Sequence, residues 1–276
     1  MEIINATLLA VLQGVTELFP VSSLGHAVLI PAVLNWNVDL RAPQFLPFLV
    51  AIHFGTAIAL LLYFWRDWLG FARSVIAFRD PAGKDERRIA LYVVVATIPA
   101  VLVGAVLEKV VRQAFAQPML AAAFLIVNGV ILLLAERIKR RGTRPLASMS
   151  LMGAIGIGVA QCLAFIPGIS RSGVTLAAGL AGGHNHEAAA RFSFLLGTPI
   201  ILGATVHEAP KFLHSGAAWQ TPTLVASLVA AVTAYASIAF LMRYFRQHDF
   251  DALNPFAYYC FVAGAVALGI LFMRLS

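Results

Sequence analysis

The chain alternates long apolar runs with short polar interruptions, and the interruptions are of two kinds. Six apolar runs, at about 42–65, 89–110, 118–135, 188–208, 221–243 and 254–274, end in polar or charged loops. Each is long enough to cross a bilayer as a helix, which takes about 20 residues. Two further regions, about 2–36 and about 149–184, are apolar stretches broken from within. The break in the first is Phe19-Pro20-Val21-Ser22-Ser23, and in the second Ile166-Pro167-Gly168-Ile169-Ser170. The apolar piece after each break is short for a span and suits a re-entrant hairpin. Non-helical backbone survives at membrane depth only where protein or water satisfies it, so each break is expected to line a cavity.

The pattern therefore predicts an all-α polytopic membrane protein with six transmembrane helices and two re-entrant helix hairpins. It reads as one membrane domain over 1–276, in which a hairpin followed by three spans occurs twice, at about 1–136 and about 149–276. Gly14-Val15-Thr16-Glu17 precedes the first break and Gly158-Val159-Ala160-Gln161 the second. Three crossings separate the hairpins, so the second should enter from the opposite face. Inverted-topology repeats of this kind place a site near the midplane, where broken helices meet.

Composition agrees. The chain is 60% hydrophobic and 12% charged, whereas a soluble domain is about half apolar and about a quarter charged. The net charge of +7 comes from cations gathered in loops, which is a membrane pattern. Membrane lipids are the expected partners, and no nucleic acid is. The loops 66–88, 137–148 and 243–253 hold thirteen cations, among them Arg87, Arg88 and Arg137 to Arg144. The opposite side has five: Arg41, Lys109, Arg112, Lys211 and Arg274. The richer side should be cytoplasmic. Cys162 and Cys260 both sit in apolar stretches and read as buried thiols. The opening Met-Glu-Ile-Ile has neither a basic start nor a small-residue cleavage site, so no removable signal peptide is expected.

The chemistry gathers at the two breaks. Gln13 and Glu17 are four apart and share a helix face. Pro20 ends that helix, Ser22 or Ser23 can cap the next, and His26 falls on its first turn. A cap and a satisfied core histidine would account for some of these residues. An ionisable group at membrane depth, however, is costly and usually functional. In the second break, Ser170-Arg171-Ser172 opens a helix inside an apolar run. Arg171 either snorkels to the interface or binds an anion. The helix N-terminus, the flanking hydroxyls of Ser170 and Ser172, and the guanidinium fork all favour the anion. A carboxylate beside a polyanion makes a divalent cation, Mg²⁺ or Ca²⁺, an expected cofactor. It would be held by Glu17 and shared with substrate phosphate. His53, Thr56 and Asn128 are isolated polar groups in spans and read as helix-packing residues. His184, His186, His207 and His214 are not spaced as a metal set.

The stretches GVTELFPVSSLGH and PGISRSG, with Ile52-His53-Phe54-Gly55-Thr56, Ala96-Thr97-Ile98-Pro99-Ala100 and Phe192-Ser193-Phe194-Leu195-Leu196, resemble the bacterial undecaprenyl-diphosphatase family, linked to bacitracin resistance. The resemblance runs over nearly the whole chain. It implies hydrolysis of undecaprenyl diphosphate to the monophosphate, which recycles the lipid carrier for cell-wall synthesis. It also implies a bacterial inner-membrane location, a site open to the outer face, divalent-metal dependence, an interdigitated inverted repeat and a homodimer. The family's functional positions fall on Glu17, Ser22, Ser23, His26, Ser170 and Arg171. Many relatives have a second acid where this chain has Gln13, so Glu17 alone must serve. Some have Thr where this chain has Leu24.

Either Ser23 attacks with His26 or Glu17 taking its proton, or Glu17 activates a water. In both schemes Gln13, Ser22, Ser170 and Ser172 bind substrate and Arg171 stabilises charge. The rival reading is a transporter that flips a polyprenyl phosphate, because broken helices and inverted repeats are transporter architecture. The cation tally yields a prediction independent of that choice. Both termini lie outside the cytoplasm, so a reporter active only in the cytoplasm should be silent when fused after Ser276; strong activity there overturns the orientation.

Overall fold

The computed structural model describes residues 3–36, 45–114, 117–138, 143–214, 221–248 and 250–274. Among them there are helices and no strand. In chain order they are α1 (Ile3–Thr16), α2 (Ser23–Leu34), α3 (Phe45–Tyr63), α4 (Trp65–Ile76), α5 (Lys84–Ala114) and α6 (Pro118–Ile138). Then follow α7 (Leu151–Gln161), α8 (Arg171–Ala181), α9 (His186–His214), α10 (Thr221–Gln247) and α11 (Asn254–Met273). Five of these (α5, α6, α9, α10 and α11) are long and apolar enough to cross a membrane. Helices α3 and α4, which meet at a bend of 72°, are together long and apolar enough for a sixth if the pair counts as one span. The expected spans thus fall on α3, α5, α6, α9, α10 and α11.

The stretch 66–88, expected as a basic loop, instead begins with α4. Trp65, Leu69 and Ile76 are exposed while Phe71 and Ser74 are buried, so the segment is amphipathic and folds as a helix. Of the loop cations, Arg41, Lys139, Arg140 and Arg141 lie outside the described residues, as do Ser276 and the side chains of Lys109, Arg112, Lys211 and His214.

The helices are apolar on the outside and small on the inside. Helix α10 buries Ala226, Ala230 and Ala234 and exposes Leu224, Leu228 and Val232. Helix α11 buries Ala257, Cys260, Gly264 and Ala267 and exposes Tyr258, Val262 and Val266. In water this arrangement would expose the larger hydrophobes; in lipid it lets backbones approach closely while large side chains meet acyl chains. Cys260 is fully buried as expected, but Cys162, at the end of α7, is only partly so.

Two pairs of short helices, α1/α2 and α7/α8, pack against these spans; α1 and α7 each keep an exposed apolar face, at Leu8 and Val159 among others. Helix α1 packs on α10, and α7 packs on α5. Both contacts depend on a glycine at the matching place. A Cβ on Gly14 would lie 1.9 Å from Thr233 Oγ1 and 2.7 Å from Ala230 O; one on Gly158 would lie 2.4 Å from Ala96 O. Pro20 and Pro167 stop the first helix of each pair, and a serine starts the second. Ser22 Oγ accepts from Gly25 N–H at 3.2 Å, and Ser170 Oγ accepts from Gly173 N–H at 3.1 Å. Gly168 sits at φ 97° with α6 so close that a Cβ would lie 2.2 Å from Ala121 O. A side chain is excluded there on both counts.

The breaks also touch each other. A Cβ on Gly25 would be 3.2 Å from Gly168 Cα. Asn128, at the middle of α6, ties them together: its Nδ2 donates to Pro20 O at 2.8 Å and its Oδ1 accepts from Ser170 N–H at 2.9 Å. Asn128 is therefore a clamp between breaks rather than an ordinary helix-packing group. Each buried hydrogen bond of this kind is worth about 0.5–1.5 kcal/mol, and an orphaned backbone partner costs about 1–3 kcal/mol. Asn128→Ala should therefore destabilise the protein by about 2–5 kcal/mol, read as a lowered thermal midpoint in detergent. An unchanged midpoint would remove Asn128 from this role.

Candidate active site

The break after α1 begins at Glu17, one residue beyond the helix end, with Glu17 N–H still bonded to Gln13 O at 2.9 Å. Its carboxylate is buried and gathers groups from three parts of the chain. Oε2 accepts from Ser23 Oγ–H at 2.5 Å and from Gln13 Nε2–H at 3.1 Å. Oε1 accepts from Arg171 Nη2–H at 3.2 Å, an ion pair between the two breaks. Arg171 Nη1 reaches Ser193 O at 3.3 Å, while its Nε is buried with no partner among the described residues. The guanidinium fits because Gly197 faces it: a Cβ there would lie 2.6 Å from Nη1.

The hydroxyls divide their work. Ser23 faces the carboxylate. Ser22 and Ser170 cap α2 and α8, and Ser170 Oγ is 3.0 Å from Ser172 Oγ. Ser172 Oγ is also 3.2 Å from Phe19 O, across the gap between the breaks. Of the expected site residues, the structure thus brings together Gln13, Glu17, Ser23, Ser170, Arg171 and Ser172, with Ser22 one cap away.

His26 is set apart. Its Nδ1–H donates to Ser22 O at 2.7 Å, which leaves Nε2 to accept from Tyr259 O–H at 2.7 Å. Both ring nitrogens are thereby used in joining α2 to α11, and the ring does not line the cavity described below. The imidazole at the carboxylate is His53, which sequence reasoning had assigned to helix packing. Its Nε2 stands 3.7 Å from Glu17 Oε2, and its Nδ1–H donates to Leu49 O at 2.7 Å. No local signal in the sequence distinguishes this histidine from a packing one.

These groups form the polar end of a cavity of about 560 Å³. Glu17, Ser22, Ser23, His53, Ser170 and Arg171 line that end, and Gln161 from α7 also lines the cavity. The remaining wall is mainly apolar: Leu24, Val28, Phe45, Leu49, Phe165, Ile169, Ile200 and Ile201, with Thr205 and Glu208 further along α9. Leu24 belongs to the wall, on the hydrocarbon side of the site rather than in its hydrogen-bond network. The ring of donors around Arg171 and the N-terminus of α8 suits an anion. The hydroxyl of Ser23 on a carboxylate is the arrangement of a nucleophile beside its proton acceptor.

No group of three or more His, Cys, Asp or Glu among the described residues is placed to hold a metal ion. The donors near the anion site are the Glu17 carboxylate and Gln13 Oε1, a buried oxygen with no partner among the described residues. Such a set fits an ion that takes its remaining ligands from phosphate and water, as Mg²⁺ commonly does, and does not form an all-protein cage. His184, His186 and His207 form no metal set, and His186 Nε2 instead meets Glu136 Oε1 at 2.5 Å.

Fold and site together define a polytopic helical membrane protein with an anion-and-acid centre at the end of an apolar cavity. The family model described as bacitracin resistance protein BacA matches residues 6–266. The chain is 52% identical over 270 residues to a protein of Acidiphilium cryptum named undecaprenyl-diphosphatase, covering 95% of this chain and 96% of that one. It is 51% identical over 288 residues to one of Granulibacter bethesdensis with the same name, covering 98% and 97%. An undecaprenyl-diphosphatase 2 of Chromobacterium violaceum is 46% identical over 272 residues, covering 97% and 98%. The chain belongs to the BacA family.

Proposed function

We infer that this protein is a membrane phosphatase that hydrolyses undecaprenyl diphosphate to undecaprenyl phosphate and inorganic phosphate. The observation that carries this is the meeting of Ser23, Glu17 and Arg171 at the polar end of an apolar cavity, in a chain half-identical from end to end to proteins of that name. The terminal phosphate sits at Arg171, Ser170 and the first N–H groups of α8, and the polyprenyl chain follows the apolar wall. Glu17 takes the proton of Ser23 as its Oγ attacks the terminal phosphorus. The bond to the bridging oxygen breaks and undecaprenyl phosphate leaves. Water then cleaves the phosphoserine, and Ser23 regains a proton. Arg171 and the α8 N–H groups stabilise the charge on the equatorial oxygens, where most of the catalysis of phosphoryl transfer resides. His53, beside Glu17 Oε2, supports the carboxylate. A divalent cation shared between Glu17, Gln13 Oε1 and the diphosphate would offset the repulsion between carboxylate and substrate.

The same reading covers the architecture. The matching contacts of Gly14 with α10 and of Gly158 with α5 support two re-entrant hairpins in an interdigitated inverted repeat, within a single membrane domain. The cavity follows α9 from Ile200 towards Glu208, the end that the loop cations assign to the outside. This supports a site open to the outer face of a bacterial inner membrane. Homodimer formation rests on the family resemblance. The flippase alternative uses Arg171 but gives the Ser23–Glu17 pair nothing to do.

Purified protein in detergent, with no second compartment, should release phosphate from undecaprenyl diphosphate; a protein that binds this lipid without cleaving it would be a carrier. Thorough chelation should suppress the rate, and Mg²⁺ or Ca²⁺ should restore it. Glu17→Gln should lose about a hundredfold or more in kcat, as for loss of a catalytic base. If it keeps most of its activity, the base lies elsewhere. Arg171→Lys keeps charge but loses the fork, and should cost about tenfold or more. Gly197→Ala, which keeps the arginine but forces its guanidinium to shift, should cost a comparable factor. Wild-type rates in a folded Gly197→Ala protein would mean the guanidinium has no fixed position to lose.

A further inference from the structure

Gln161 is the last residue of α7 and is 2% exposed. Neither its amide oxygen nor its amide nitrogen has a hydrogen-bond partner among the described residues. Burying an unsatisfied carboxamide is costly, and proteins rarely keep one without a use. This one lies in the wall of the cavity that holds Arg171 and Ser170. The same cavity contains the place where the preceding section puts the diphosphate, and the inference rests on that reading.

Its position repeats that of Glu17. Each lies three residues after a glycine, Gly14 or Gly158, pressed against a long helix from the other half of the chain. Glu17 directly follows α1 and Gln161 is the last residue of α7, and both line the same cavity. The two sides of the fold therefore contribute one matching side chain apiece, a carboxylate from one and a carboxamide from the other. The difference is chemical: a carboxylate only accepts, whereas a carboxamide also donates two N–H bonds and carries no charge. Around a polyanion, a second carboxylate would add repulsion and a carboxamide adds attraction.

We propose that Gln161 is a substrate-binding residue whose carboxamide N–H donates to the diphosphate of the lipid. It supplies, from the α7 side, a neutral hydrogen bond that complements the charged one from Arg171. The bond is made in the bound ground state as well as during reaction, so its loss belongs in KM.

The test uses the full-length protein in detergent with three readouts: KM and kcat for undecaprenyl diphosphate, the thermal midpoint without ligand, and the shift of that midpoint by inorganic diphosphate. Gln161→Met keeps the volume and removes the polar atoms. Because those atoms have no protein partner to lose, it should melt at or above the wild-type temperature. Its KM should rise about tenfold, the value of one hydrogen bond to a charged group, with kcat little changed. The shift by inorganic diphosphate should shrink. Gln161→Glu should raise KM further. A Gln161→Met protein with a lowered midpoint and wild-type KM would overturn the proposal, because the amide would then be holding the fold. Wild-type KM with a wild-type midpoint, or a kcat loss at unchanged KM, would overturn it as well. Should the wild type release no phosphate, the function fails as read, and the inorganic diphosphate shift still decides Gln161.

Discussion

Two interrupted helices cannot sit inside a membrane unless something accepts the backbone groups they leave unpaired. Water is scarce at that depth, and each unmatched N–H or C=O costs several kcal/mol. Here the two interruptions solve the problem for one another. Asn128 takes the Ser170 N–H with one end of its amide and gives a hydrogen to Pro20 O with the other. Ser172 Oγ lies 3.2 Å from Phe19 O across the same gap. Once the breaks are joined in this way, their relative position is set. The side chains next to them, Glu17 and Arg171, then face each other without any further device.

The surrounding helices hold that junction at depth. Small residues on α10 and glycines on α1 and α7 bring backbones together, so that the two breaks are buried in the bundle. Serine caps begin α2 and α8 at the junction, and the N-terminal ends of both helices therefore converge on one region. Two sets of unpaired helix N–H groups converging on one volume make an anion site out of main chain alone. Arg171 and the hydroxyls refine it.

Most of this was legible because polar residues inside an apolar run stand out. Glu17, Ser22, Ser23, Ser170 and Arg171 announced themselves by occupying places where lipid-facing sequence has leucine. His53, Asn128 and Gln161 did not, for a physical reason. One polar residue in a long span looks the same whether it bonds to the next helix, clamps a break or faces a ligand, since the difference lies in which turn faces inward. His26 stood out as readily, yet its ring is occupied by other partners. It stands four residues after a capping serine, and its ring bonds back to that serine's carbonyl, a local contact that sequence cannot tell from an active imidazole. The helix after the bend at Phe64 was hidden by its own charges, because arginines that mark a loop also occupy the polar face of an amphipathic helix.

The ion pair between Glu17 and Arg171 has a bearing on what the cavity ignores. A bilayer presents phospholipid headgroups at enormous excess over any rare lipid carrier. With the guanidinium already matched by a carboxylate at 3.2 Å, the centre is close to electrically neutral towards a visitor. A phosphodiester with a single negative charge gains little by displacing that carboxylate, because it replaces one monoanion with another. A terminal phosphate bears more charge and more free oxygens, and can engage the guanidinium and the helix ends together. A singly charged lipid therefore has less to gain at this centre than a terminal phosphate has.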